Sequence, residues 1–186
     1  TAFRISYVGE QGWELHMRYE DGLAVWDALR GIGVMAVGVE TYANSRRLEK
    51  SLRLQNADLH TQYNLIEAAL ARPKVKEADF RGKAKHVEYR ERDHQPAMLC
   101  TLVMTDNVDA NGVARYPVGN LPVMDPDTGK TLIDELGRRS YTTSIAFGPS
   151  IGKNIALAYL PWDYCQEGRK LTVSYFDEIY PVEVVG

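Results

Sequence analysis

Residues 97–104 read Ala97-Met98-Leu99-Cys100-Thr101-Leu102-Val103-Met104, and this stretch decides the fold class. Six of its members, Met98, Leu99, Thr101, Leu102, Val103 and Met104, form a short run that predicts a strand. Four more strand-like runs follow at 141–146, 154–159, 170–175 and 181–185. Turn signals separate them: Asp109-Ala110-Asn111-Gly112, Asp125-Pro126-Asp127-Thr128-Gly129 and Glu167-Gly168. Short strands with this punctuation indicate a β-barrel or sandwich, and the expectation is an antiparallel barrel without more than one long helix beyond residue 100.

Upstream of Ala97 the pattern differs. Phe3, Ile5 and Tyr7 alternate with polar residues, as do Trp13, Leu15 and Met17. Gly9-Glu10-Gln11-Gly12 lies between them, which predicts a hairpin. Asp21-Gly22 then introduces Leu23, Val25, Trp26 and Leu29, one face of a short helix ended by Gly31. Residues 34–39 read as a buried strand and 40–52 as a helix, with Leu48 and Leu52 on one face. Next come an apolar, helix-like patch at 65–70, Pro73, and the basic run Arg81-Gly82-Lys83-Ala84-Lys85. That run reads as a solvated helix face, with contact to a phosphate or polyglutamate tail as the alternative. Arg90-Glu91-Arg92-Asp93 reads as a solvated linker, so the predicted division is 1–92 and 93–186 in an α+β protein.

Composition limits the function classes. The 186 residues carry 22 Lys+Arg against 25 Asp+Glu, a net charge of −3, without the basic excess of a non-specific nucleic-acid binder. No apolar run approaches the ~18 residues of a membrane span, and no signal peptide opens the chain. Cys100 and Cys165 lie far apart with no CxxC, so neither a disulfide framework nor a cysteine-based zinc site is expected. Reduced thiols fit a cytoplasmic protein. The chain opens at Thr1 and enters strand-like sequence almost at once, which suggests a portion of a longer protein.

Generic catalytic motifs are missing: there is no GxSxG, P-loop, HExxH or GxGxxG, and the four histidines are scattered. Two segments still hold chemically useful residues. In 7–14 two glycines flank Glu10, letting backbone and ligand approach closely, and a carboxylate there can accept two N–H donors from a flat heterocycle. In 38–50 Tyr42 opens a helix, where the dipole favours negative charge on its oxygen. Spacing alone favours an ordinary hairpin loop and an ordinary helix aromatic.

A family resemblance shifts that balance. Tyr7-Val8-Gly9-Glu10-Gln11-Gly12-Trp13-Glu14-Leu15 resembles the folate-site strand and turn of the glycine-cleavage T-protein (aminomethyltransferase) family, which includes the folate domains of sarcosine and dimethylglycine dehydrogenases. Arg47-Leu48-Glu49-Lys50 and Asn56-Ala57-Asp58-Leu59 are similar to its next helix, and residues 148–159 to its C-terminal barrel signature. T-proteins read approximately Ala-Arg-Asp-Ser/Thr-Leu before Arg-Leu-Glu, whereas this chain has Tyr42-Ala43-Asn44-Ser45-Arg46 and lacks the Arg-Asp pair. The run from Gly38 to Arg53 looks more like the tetrahydrofolate-dependent aryl O-demethylases acting on vanillate, 3-O-methylgallate or syringate.

The resemblance implies that 1–92 is the C-terminal part of an α/β folate-binding domain and 93–186 the barrel domain. It implies tetrahydrofolate as cofactor, a methoxy-aromatic acid as substrate, and a site shared with an N-terminal half that this chain lacks. Glu10, Tyr7 and Trp13 become cofactor-binding residues and Tyr42 the catalytic tyrosine, with no metal. In that chemistry the folate nitrogen attacks the methyl carbon in line with the departing oxygen, and a tyrosine hydroxyl protonates the leaving phenolate. The alternatives are one-carbon transfer from an amine, as in aminomethyltransferases and dimethylglycine-oxidising enzymes, and a folate-binding module without turnover.

Overall fold

The computed structural model describes residues 1–71 and 74–186; Pro73 lies outside the described residues. The chain runs β1 (Ala2–Phe3), β2 (Glu14–Leu15), α1 (Gly22–Gly31), a π-helical stretch (Thr41–Arg46), α2 (Lys83–Arg90) and β3 (Ala97–Met104). It continues with β4 (Val123–Met124), β5 (Thr142–Gly148), β6 (Lys153–Pro161), β7 (Lys170–Tyr175) and β8 (Glu178–Val184). Beyond residue 100 the described helices reduce to one 3-10 turn at Trp162–Tyr164.

Six strands form one antiparallel sheet in the order β4-β7-β8-β3-β6-β5. The sheet curls until its edges meet. Pro122 bridges Tyr141, Thr142 N–H donates to Leu121 O, and Val123 N–H donates to Ser140 O. Contact of this kind shortens the exposed ladder edge that an open sheet would carry.

The central pair β3 and β6 explains why the sequence reads as continuous apolar runs there. Alternate residues of a strand face opposite sides of the sheet. Cys100, Leu102 and Met104 with Ala156, Ala158 and Leu160 enter the barrel core beside Val173 and Val182. Leu99, Ile155, Leu157 and Tyr159 face the other way, onto a second core with Leu48 and Ala68. A strand covered on both faces needs apolar residues at nearly every position.

Upstream, the hairpin is present as β1 paired with β2, and α1 spans the expected helix. Residues 34–39 depart from expectation: they form no strand and are exposed, because no strand of the described chain lies alongside to take up their hydrogen bonds. The helix expected from residue 40 ends at Leu48, its middle wound as the π-helical stretch. The 65–70 patch makes a single turn instead of a helix. The Asn64 side chain caps it by accepting from the Ile66 and Glu67 N–H groups (2.8 and 3.0 Å), and Ala69 adopts a left-handed φ of 54° that ends it. The basic run opens α2, with Lys83 Nζ donating to Glu77 O at 2.6 Å.

Candidate functional site

The Tyr7–Gln11 turn is shaped by Gly9, whose φ of 74° falls in the left-handed region. Any Cβ there would also overlap the aliphatic chain of Lys50. Glycine thus lets the turn lie directly on the helical segment that follows Glu40. Glu10, next in the turn, keeps its side chain 63% exposed and pairs with Arg46.

Arg46 joins a larger clasp. Its Nη1 donates to Glu49 Oε2 at 2.7 Å, and Glu49 in turn accepts from the Ser150 N–H (2.6 Å) and the Ser150 hydroxyl (3.0 Å). The turn, the helix and the loop after β5 are thereby tied together. They border a cleft of about 340 Å³ lined by Glu10, Arg46, Glu49, Lys50, Ser150 and Ile151, among others. Two cations and two carboxylates around one cleft make it a polar site able to both donate to and accept from a ligand.

Directly behind lies a fully buried ion pair. The Arg47 guanidinium donates to Asp58 Oδ2 (2.5 Å), to Ser144 Oγ (2.6 Å), and to the carbonyls of Ala43 (2.6 Å) and Leu52 (2.9 Å). Asp58 also accepts from the Thr143 and Ser144 hydroxyls and from the Leu54 N–H, so both charges are multiply hydrogen-bonded. Burying charge demands such satisfaction. Ser45 Oγ donates to Phe147 O at 2.7 Å, adding a further tie to β5.

Of the four residues expected at the site, two have their rings together. Tyr7 and Tyr42 meet at 5.8 Å between centroids, tilted by 49°. The Tyr7 hydroxyl donates to Arg53 O at 2.7 Å; burial raises its pKa, opposed by Arg47 and reinforced by Asp58 and Tyr42. Tyr42 is partly exposed, and its hydroxyl has no hydrogen-bond partner among the described residues. It precedes Arg46 by four residues, which places the two on neighbouring positions of the helical surface. Tyr42 is not among the residues lining the Glu10 cleft. Trp13 is exposed just before β2 and does not line that cleft either.

Sequence reasoning missed the working parts of the clasp: Arg46, Ser144 and Ser150 as partners, and the Arg47–Asp58 pair as its anchor. A signal was available. Arg47 and Asp58 sit beside Leu48 and Leu59 inside the motif strings, and a charge wedged among core residues needs an opposite partner.

Comparison with known proteins finds two family domains along the chain. The GCVT N-terminal domain matches residues 1–75 and the Glycine cleavage T-protein C-terminal barrel domain matches 116–186. The mitochondrial dimethylglycine dehydrogenase of Homo sapiens is 33% identical over 191 residues, covering all of this chain and 20% of that protein. The aminomethyltransferase of Exiguobacterium sibiricum is 32% identical, covering 94% of this chain and 46% of that protein. The crystal structure of glycine cleavage system aminomethyltransferase T from Bartonella henselae shares the fold. Its TM-score is 0.82 at 23% identity, over all of this chain and 48% of that one. The chain therefore spans between a fifth and about half the length of these relatives. These relatives favour the amine-linked alternative over the aryl O-demethylase reading. Two domain matches in sequence order, with aminomethyltransferase relatives along nearly the whole chain, support a relationship to the glycine-cleavage T-protein family.

Proposed function

We propose that residues 1–92 and 93–186 are the folate-binding and barrel portions of a tetrahydrofolate-dependent enzyme that handles one-carbon units carried on amines. The observation that carries this reading is Glu10, held over its cleft by Arg46 on a turn where Gly9 takes a left-handed φ and lies against Lys50.

The donor set suits a pterin. A carboxylate offers about four acceptor sites, so Glu10 can accept from the N–H edge of the ring while remaining paired with Arg46. Neither the tilted Tyr7–Tyr42 pair nor the exposed Trp13 lines the cleft; we assign them to the cofactor as aromatic surface on the flanks of the same turn. The chemistry that tetrahydrofolate supplies when bound is a nucleophilic nitrogen that receives the one-carbon unit. Glu10 would hold the ring, and the Glu49–Ser150 contact fixes the loop after β5 at the same cleft. The unpartnered Tyr42 hydroxyl donates a hydrogen bond to the substrate.

Aryl ether demethylation is the second reading, and Tyr42 is what favours it. A free hydroxyl at this point can protonate a departing phenolate, which is otherwise a poor leaving group. Two assays of the intact protein separate the readings. The first supplies tetrahydrofolate with an N-methyl amine and its oxidant, and the expected product is 5,10-methylene-tetrahydrofolate. The second supplies tetrahydrofolate with vanillate, and the expectation is no 5-methyl-tetrahydrofolate. A methyl product from vanillate reverses the order of the two readings, and no product in either assay rejects both.

A further inference from the structure

We propose that the cavity between the 63–71 segment and α2 is a second binding site, for a small amphipathic anion with an aromatic or acyl body and one negatively charged head. The cavity measures about 650 Å³, in the range of small-molecule pockets, and shares no residue with the Glu10 cleft. Its apolar wall comes from Leu65, Leu70, Val75 and Phe80, three of them large side chains left substantially exposed.

Charge gives the wall its selectivity. Lys74, Lys76, Arg81 and Lys85 line the same cavity, and among the described residues no Asp or Glu does, although the chain carries more acidic than basic residues. Lys85 is already answered by Glu88 at 2.6 Å. Lys74, Lys76 and Arg81 have no ion-pair or hydrogen-bond partner among the described residues. Three unanswered cations beside an apolar wall repel one another unless an anion joins them, and an apolar body attached to that anion gains burial as well. A flexible Lys or an Arg fork is suited to a carboxylate, sulfonate or phosphate head.

The test is a titration of the ¹⁵N-labelled chain with naphthalene-2-sulfonate, followed by amide shifts. The expected result is saturable movement of the Gly82, Lys85 and Tyr89 amides. The triple substitution Lys74→Gln, Lys76→Gln and Arg81→Gln should weaken it at least tenfold while amides of the barrel stay in place. Neutral naphthalene-2-methanol should bind at least tenfold more weakly than the sulfonate. On the native chain alone, raising the ionic strength should also weaken sulfonate binding, since salt screens exposed charges. The proposal is overturned by equal binding of the neutral compound, by salt-insensitive binding, or by shifts that map away from α2.

Discussion

The barrel and the first forty-six residues were written with similar apolar content, yet they end in opposite states. β3 and β6 bury both faces, with Leu102, Leu157 and Leu160 wholly inaccessible. Residues 1–46 contain no buried residue at all. Leu23 and Trp26 on α1, and Met35, Val37 and Val39 after it, are all exposed. Periodicity thus specifies an element, but burial requires a second surface, and only the barrel supplies one within the described chain. Single apolar exposures are ordinary; a continuous set like this one marks a surface made to be covered. The Arg47–Asp58 pair stands at the join between the two regions, beside the apolar contact that Leu48 makes with the barrel.

The largest expected effect tests that join. Asp58→Ala leaves the Arg47 guanidinium buried without its partner and should cost about 3–5 kcal/mol of unfolding free energy. Replacing both members with apolar residues of similar size should recover most of the loss, and denaturant unfolding reads both. A loss near zero for Asp58→Ala would show that the pair contributes little.

Next in size is the contrast between cores. Leu157→Ala in β6 should cost about 2–5 kcal/mol, because a cavity opens between two packed layers. Leu23→Ala on α1 should change stability by less than about 0.5 kcal/mol, as an exposed side chain away from special features does. Equal losses at the two sites would erase the distinction between the regions.

A smaller effect is expected at high pH. Tyr63 stacks on Tyr159 at 3.5 Å between centroids, with the Arg138 guanidinium 4.2 Å from the Tyr63 ring centre. Burial pushes the Tyr63 hydroxyl up to about 12, against the lowering influence of Arg138, and burial raises Tyr159 as well. Raised folded values mean that this stabilisation is complete below the unfolded value of 10.0 and is lost as pH rises through about 12. Ultraviolet titration should therefore show Tyr63 and Tyr159 ionising after the exposed tyrosines, and stability should begin to fall above pH 10. Simultaneous ionisation of all tyrosines would remove this stack from the account.

Much of the barrel was legible in the sequence because its strands lie between strong turn residues. Gly112, Gly129 and Gly168 all take positive φ where turns were expected. The two-residue β4 was not, since a strand that short leaves no period to read. Glu10 was legible as a turn carboxylate, through its flanking glycines. The clasp around it was not, because Ser150 reaches Glu49 across 101 positions of sequence and Ser144 reaches Arg47 across 97. Residues 34–39 misled because an apolar run announces a buried strand whether or not a neighbour is there to pair with it.

The central claim, that Glu10 on its glycine turn holds a pterin ring, is tested most directly by equilibrium binding of 5-formyl-tetrahydrofolate to the native protein and to Glu10→Gln. The account predicts affinity weaker by about 1–3 kcal/mol in the variant, the value of a hydrogen bond to a charged group, with an unchanged melting temperature. Equal affinity for both proteins would contradict it and return Glu10 to the role of a solvated loop residue paired with Arg46.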